Sequence, residues 1–146
     1  VLHLIPAWEL AVDELVRVAR PGGVILVDAG GPGDDWWARI EERFVLEAGI
    51  EGRHVGVDLA ADVDVAMAAR GATPRELPPV LSTEEAAVAE RIERLASGVY
   101  SFTWQADEET RRSVADRTRR WAERHLGSPF VPRPLRRWIA WRAYDR

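Results

Sequence analysis

Three histidines, at positions 3, 54 and 125, are the side chains of this sequence best suited to exchange a proton near neutral pH. Their spacing matches no metal-ligand pattern, and with no cysteine in the chain, thiolate zinc sites and disulfides are excluded. His3 can line a ligand pocket, accept a proton from an oxygen or nitrogen nucleophile, or simply fix a strand end by hydrogen bonding. His125 falls on the apolar arc of a helix and reads as a satisfied core residue. Gly30-Gly31-Pro32-Gly33 suggests a phosphate loop but fits neither the P-loop nor the full dinucleotide pattern. Asp34 and Asp35 would also set negative charge where a phosphate belongs, so a chain turn with a helix cap is the better reading. The aromatic run Tyr100-Ser101-Phe102-Thr103-Trp104, with Trp36, would suit an apolar substrate and exclude water, although each ring also fits ordinary packing.

These residues need a scaffold, and composition narrows it. Hydrophobic residues make up 47% and charged residues 30%, the balance of a soluble globular domain. With 20 basic and 24 acidic residues intermixed, the net charge of −4 gives little support to nucleic-acid binding. Arg111, Arg112, Arg117, Arg119, Arg120 and Arg124 lie on one long helix, interrupted by Asp116 and Glu123, and read as a solvated face. No apolar run is long enough for a membrane span, no signal-peptide pattern opens the chain, and a cytoplasmic location is the simpler expectation.

Residues 1–5 read as the end of a buried strand. A helix follows to Arg20, with Trp8, Ala11 or Val12, Leu15 and Val18 or Ala19 on its apolar stripe and an Asp13–Arg17 pair on the other side. Pro21 stops it and Gly22-Gly23 turn the chain. Val24–Val27 is continuously apolar, as expected of a strand covered on both faces, which favours a parallel sheet. The next helix buries Trp37, Ile40, Phe44 and Ala48 and ends at Gly49. A short helix over 61–70 and an extended Leu77–Leu81 come next. Ser82-Thr83-Glu84-Glu85 has capping-box spacing before a helix whose stripe is Val88, Ile92 and Leu95. Asp107, Glu108 and Glu109 give an acidic start to a helix reaching Leu126, and 137–144 reads as a last strand.

His3-Leu4-Ile5-Pro6-Ala7-Trp8, followed by Asp13-Glu14-Leu15-Val16-Arg17-Val18-Ala19-Arg20-Pro21-Gly22-Gly23 and an apolar strand, resembles the class I S-adenosylmethionine-dependent methyltransferases. The close likeness covers about the first thirty residues. It implies an α/β fold, a partial Rossmann-like sheet whose fourth to seventh strands are residues 1–5, 24–29, 75–81 and 136–144, the last antiparallel. Residues 1–146 would form one domain, the carboxyl-terminal part of a methyltransferase domain, with 82–128 as a helical insertion. The family's glycine-rich cofactor turn is absent from the sequence, so the chain reads as part of a longer enzyme. The resemblance implies S-adenosyl-L-methionine as cofactor, with Leu2 and His3 beside the methyl donor. Trp36, Tyr100 and Trp104 would shape the site of a small-molecule acceptor, and aromatic faces there could favour a sulfonium cation. No residue is assigned a catalytic step and no metal is expected. The competing expectation is a non-catalytic interaction module completed by another chain, with self-association through an exposed sheet edge.

Overall fold

Ala7 opens the first helix, α1 (Trp8–Val18), and Pro21 and Gly22, the latter at φ 75°, turn the chain into strand β1 (Val24–Asp28). The computed structural model describes residues 1–51 and 54–146. In chain order the remaining elements are α2 (Asp35–Ala48), α3 (Ala60–Ala68), β2 (Thr73–Glu76), β3 (Val80–Ala86), α4 (Val88–Ala96), α5 (Glu108–Leu126), β4 (Arg133–Ile139) and β5 (Trp141–Asp145). Contacts divide the chain into two compact units. The first holds Val1–Pro32, His54–Leu81 and Trp138–Arg146, and the second Gly33–Arg53 and Ser82–Arg137. The fold is mixed α/β, with two small antiparallel sheets. No helix among the described residues is long and apolar enough to cross a membrane.

In the first unit β5 lies between β1 and β2 and runs antiparallel to both, so β1 and β2 point the same way. Ile25 faces Tyr144 across one ladder, and these two join Val12 and Val16 of α1 and Val63 and Met67 of α3 in one core. The ladders are reinforced at their ends. Arg75 donates to both carboxylate oxygens of Asp145 at 2.9 and 3.0 Å. The Tyr144 hydroxyl, fully buried, donates to Asp64 Oδ1 at 2.8 Å, and burial first, then that hydrogen bond, raises its pKa.

Three expectations are corrected in this unit. Residues 1–5 are not a strand; Leu2–Leu4 form a single 3₁₀ turn, with the Leu4 N–H donating to the Val1 carbonyl. β1 has no parallel neighbour among the described residues. Its apolar run is not covered on both sides either, because Val24 and Leu26 are 51% and 58% exposed on the face opposite Ile25. The Asp13–Arg17 pair does not form. Arg17 instead reaches both oxygens of Glu14 within one helical turn, and Asp13 receives Arg70 at 2.5 Å.

In the second unit α2, α4 and α5 pack through Ile40, Phe44, Ile92, Leu95, Val114 and Ala122, the stripes that the 3.6-residue period predicts. Gly49 ends α2 in the left-handed conformation, with Ile50 N–H donating to the Val45 carbonyl. The capping box at 82–85 does not form. Those residues belong to β3, which pairs with β4, and α4 begins only at Val88 with no side-chain cap. Strand pairing satisfies the backbone of Ser82–Glu85, which outweighs a local cap. Asp34 caps nothing either; its carboxylate accepts the Arg136 backbone N–H at 2.6 Å. The last expected strand is two, β4 and β5, separated at Ala140.

Asp107 is a true cap, its Oδ1 accepting the Thr110 N–H at 2.8 Å. That hydrogen bond holds the carboxyl below the usual range, so its stabilisation is present above that range and lost as pH falls through the lowered value. Asp107→Ala is expected to lower the urea midpoint at pH 7 with an unchanged slope, and to have little effect once the carboxyl is protonated.

Candidate functional site

The 3₁₀ turn that replaces the expected first strand presents Leu2 and His3 to a cavity of about 770 Å³ in the first unit. His3 is held from below by backbone. The Gly56 N–H donates to the His3 carbonyl at 2.9 Å, which lays the irregular segment 54–59 directly against the turn. The same contact brings His54 onto His3, with ring centroids 4.4 Å apart and planes inclined by 52°. The carboxyl-terminal end of β1 forms another part of the wall through Asp28, Ala29 and Gly30. Arg142 and Tyr144 of β5 complete its polar side.

Most of these polar groups already have partners. Asp28 Oδ1 accepts the Gly30 N–H at 2.8 Å, closing the glycine turn on itself, so that this loop acts as a chain turn. Glu14 is held by Arg17, and Arg142 by Asp64 at 3.5 Å and by Glu76. The Tyr144 hydroxyl is taken by Asp64. His3, His54 and Asp58 are left. Burial first, then the amino group of Val1 and the neighbouring His54, hold the His3 imidazole below its ordinary pKa, against the opposing pull of Asp58. The His3 ring is therefore neutral at pH 7 and able to take a proton. The Nδ1 atom of His54 is enclosed by protein without a hydrogen-bond partner, so packing against His3 is what orients that ring.

The expected acceptor residues belong to the second unit. Trp36 and Tyr100 join one aromatic cluster through Trp37, at centroid distances of 6.5 and 5.7 Å. Trp36 Nε1–H donates to the Pro134 carbonyl, and the Tyr100 hydroxyl accepts from the buried Arg91 at 3.3 Å. Trp104 does not join this cluster. Its Nε1–H donates to the Gly98 carbonyl at 2.8 Å and the residue is 62% exposed. His125 is corrected from core to surface, where it stacks on Trp121 at 5.0 Å and donates from Nδ1 to the Trp121 carbonyl. Among the described residues, three of the six α5 arginines are ion-paired. Arg112 meets Glu108, Arg117 meets Glu47 and Arg119 meets Asp116, while Arg111 donates to the Ala96 and Ala106 carbonyls.

Sequence reading named His54 without tying it to His3, and did not single out Asp58. Both lie in the irregular segment after α2, with no spacing that ties them to His3; the nearest available signal was the glycine between them. No family model matches the chain, and no curated protein matches it.

Proposed function

We propose that the chain forms one wall of the donor pocket of an S-adenosylmethionine-dependent methyltransferase, acting on a small-molecule acceptor as part of a longer enzyme. The observation that carries this reading is the cavity beside His3. Two residues singled out by resemblance, Leu2 and His3, lie on its wall next to the carboxyl-terminal end of β1, where ligands of open α/β sheets bind. Its volume is that of a small-molecule site, and its apolar lining with a few polar groups is the usual make-up of one. The sheet adds support, because its last strand runs antiparallel to two strands that point the same way. The cofactor, when bound, supplies a methyl group on a positively charged sulfur. The protein's part is to align the acceptor, exclude water and take a proton. Leu2 and His3 would contact the donor.

One observation favours the non-catalytic alternative. β1 is an edge strand with Val24 and Leu26 exposed, a surface on which another chain could pair. Calorimetry with S-adenosylhomocysteine separates the two. The full-length polypeptide that carries this chain is expected to bind it, and His3→Ala to weaken binding about tenfold, the loss of one good contact. The chain alone is expected to bind weakly. No binding by the full-length protein, or binding indifferent to His3, would leave the interaction module as the better account.

A further inference from the structure

We propose that the contact between His3 and His54 is a proton-operated latch on the wall of the cavity. With both rings neutral it seats residues 54–59 on the Leu2–Leu4 turn; when the pair takes up protons, that segment is released. The latch concerns how the wall is held, whatever the cavity takes, and so stands apart from the methyl-transfer reading.

The two rings meet with centroids 4.4 Å apart and planes inclined by 52°, so two imidazolium charges there would repel at contact distance. The surroundings of His54 offer no relief. Its Nδ1 atom is enclosed by protein and has no hydrogen-bond partner. A neutral ring accommodates this by carrying its hydrogen on Nε2. An imidazolium must also place a donor at Nδ1, where no acceptor receives it. Few bonds oppose the release. Among the described residues the Gly56 N–H to His3 carbonyl bond, at 2.9 Å, is the backbone hydrogen bond that ties the segment to the turn, and no side-chain hydrogen bond supplements it.

The charged and titratable groups acting on His3 are the Val1 amino group, His54 and Asp58. Glu14, Asp28, Arg142 and Tyr144 also line the cavity, but each is held by a partner: Arg17, the Gly30 N–H, Asp64 with Glu76, and Asp64 again. Burial opposes a proton on His3 most, Val1 and His54 oppose it next, and Asp58 favours it, so the closed wall keeps the imidazole below its ordinary 6.5. Release of the segment removes the burial and the His54 neighbour together, and the ring returns toward that ordinary value. The open form therefore binds protons more readily than the closed one. Closure is fully favoured above 6.5, weakens as pH falls from there through the lowered value, and changes no further below it. A ligand enclosed by this wall is held at neutral pH and freed in mild acid.

Residue-resolved amide hydrogen exchange tests the latch at Gly56, with rates on the chain divided by those of an unstructured peptide at the same pH, from about pH 7.5 to about pH 5. Protection at Gly56 is expected to fall, by roughly tenfold for each unit by which opening raises an imidazole midpoint, in step with the His3 ring titration followed by NMR. The amides of Ile25 and Tyr144, in the β1–β5 ladder, are expected to keep their protection, which separates local release from acid unfolding. His54→Phe keeps a flat ring that gains no proton. It is expected to raise the His3 midpoint and to reduce the protons taken up per opening, read from the slope of log protection against pH, by about one. The same slope in His54→Phe would overturn the latch. Whether or not that variant folds, so would Gly56 protection that is flat with pH, or that falls only together with Ile25 and Tyr144. A working latch in a protein whose full-length form binds no S-adenosylhomocysteine would keep the latch and remove only the methyltransferase reading.

Discussion

Replacing Gly56 by alanine is expected to destabilise the first unit by about 3 kcal/mol or more and to pull His3 away from His54. A methyl group there would stand 2.2 Å from the Leu2 carbonyl oxygen, 2.7 Å from that of Ile5 and 2.9 Å from the His3 carbonyl carbon. All three are backbone atoms, so no side chain can rotate away to make room. Either the turn Leu2–Leu4 or the segment carrying His54 must move, and the Gly56-to-His3 hydrogen bond is lost with that movement. Two measurements check this together. Thermal unfolding should drop by roughly 10 °C. The His3 ring should titrate closer to its ordinary value, because both the burial and the His54 neighbour that lower it depend on this contact. Unchanged stability with an unchanged titration would mean that the backbone contact at Gly56 is not what assembles the wall.

Gly31→Ala should be at least as damaging, with a different outcome for the site. An added Cβ would lie 1.8 Å from the carbonyl oxygen of Trp138 and 2.7 Å from its carbonyl carbon. The chain there continues the β1–β5 pairing beyond both strands. Ala29 N–H donates to the Ala140 carbonyl, Ala140 N–H to that of Gly30, and Trp138 N–H to that of Pro32. Relieving the overlap costs at least one of these bonds as well as the packing, about 3–4 kcal/mol in all. Amide hydrogen exchange should locate the loss at Ala29, Trp138 and Ala140, while the His3–His54 contact persists because it is built from other backbone. Exchange rates unchanged at those three amides would contradict the geometry described.

What the sequence disclosed, and what it withheld, follows from the range of the forces involved. Local signals were readable. Ile40 and Phe44, or Val88, Ile92 and Leu95, announce a helix face by spacing alone, and Gly49 and Asp107 announce helix ends through their own backbone and side-chain chemistry. Signals that depend on a distant partner were not. Val24–Val27 was recognisable as a strand, yet nothing in four apolar residues tells which strand lies alongside or in which direction. Ser82–Glu85 looked like a helix start because its competitor for hydrogen bonds, β4, lies some fifty residues downstream. The site divides in the same way. His3 was singled out through a motif of contiguous residues. His54 and Asp58 reach it only through a backbone contact at Gly56, which leaves no period and no charge pattern to detect. Trp36 and Tyr100 were noticed by type, and their shared partner Trp37 is what places them in one cluster.

The order of strands in the first unit sets a schedule for synthesis. β1 and β2 leave the ribosome early, but the strand that separates them is β5, which is made last of the three. Until translation passes Trp141, both nascent strands present unpaired edges and the Ile25 side of β1 has no Tyr144 to rest on. The segments of the second unit are all translated by Arg137, so its three-helix core can close while the sheet is still waiting. The first unit is therefore the late-folding part of this polypeptide, and the part that holdase chaperones would find open.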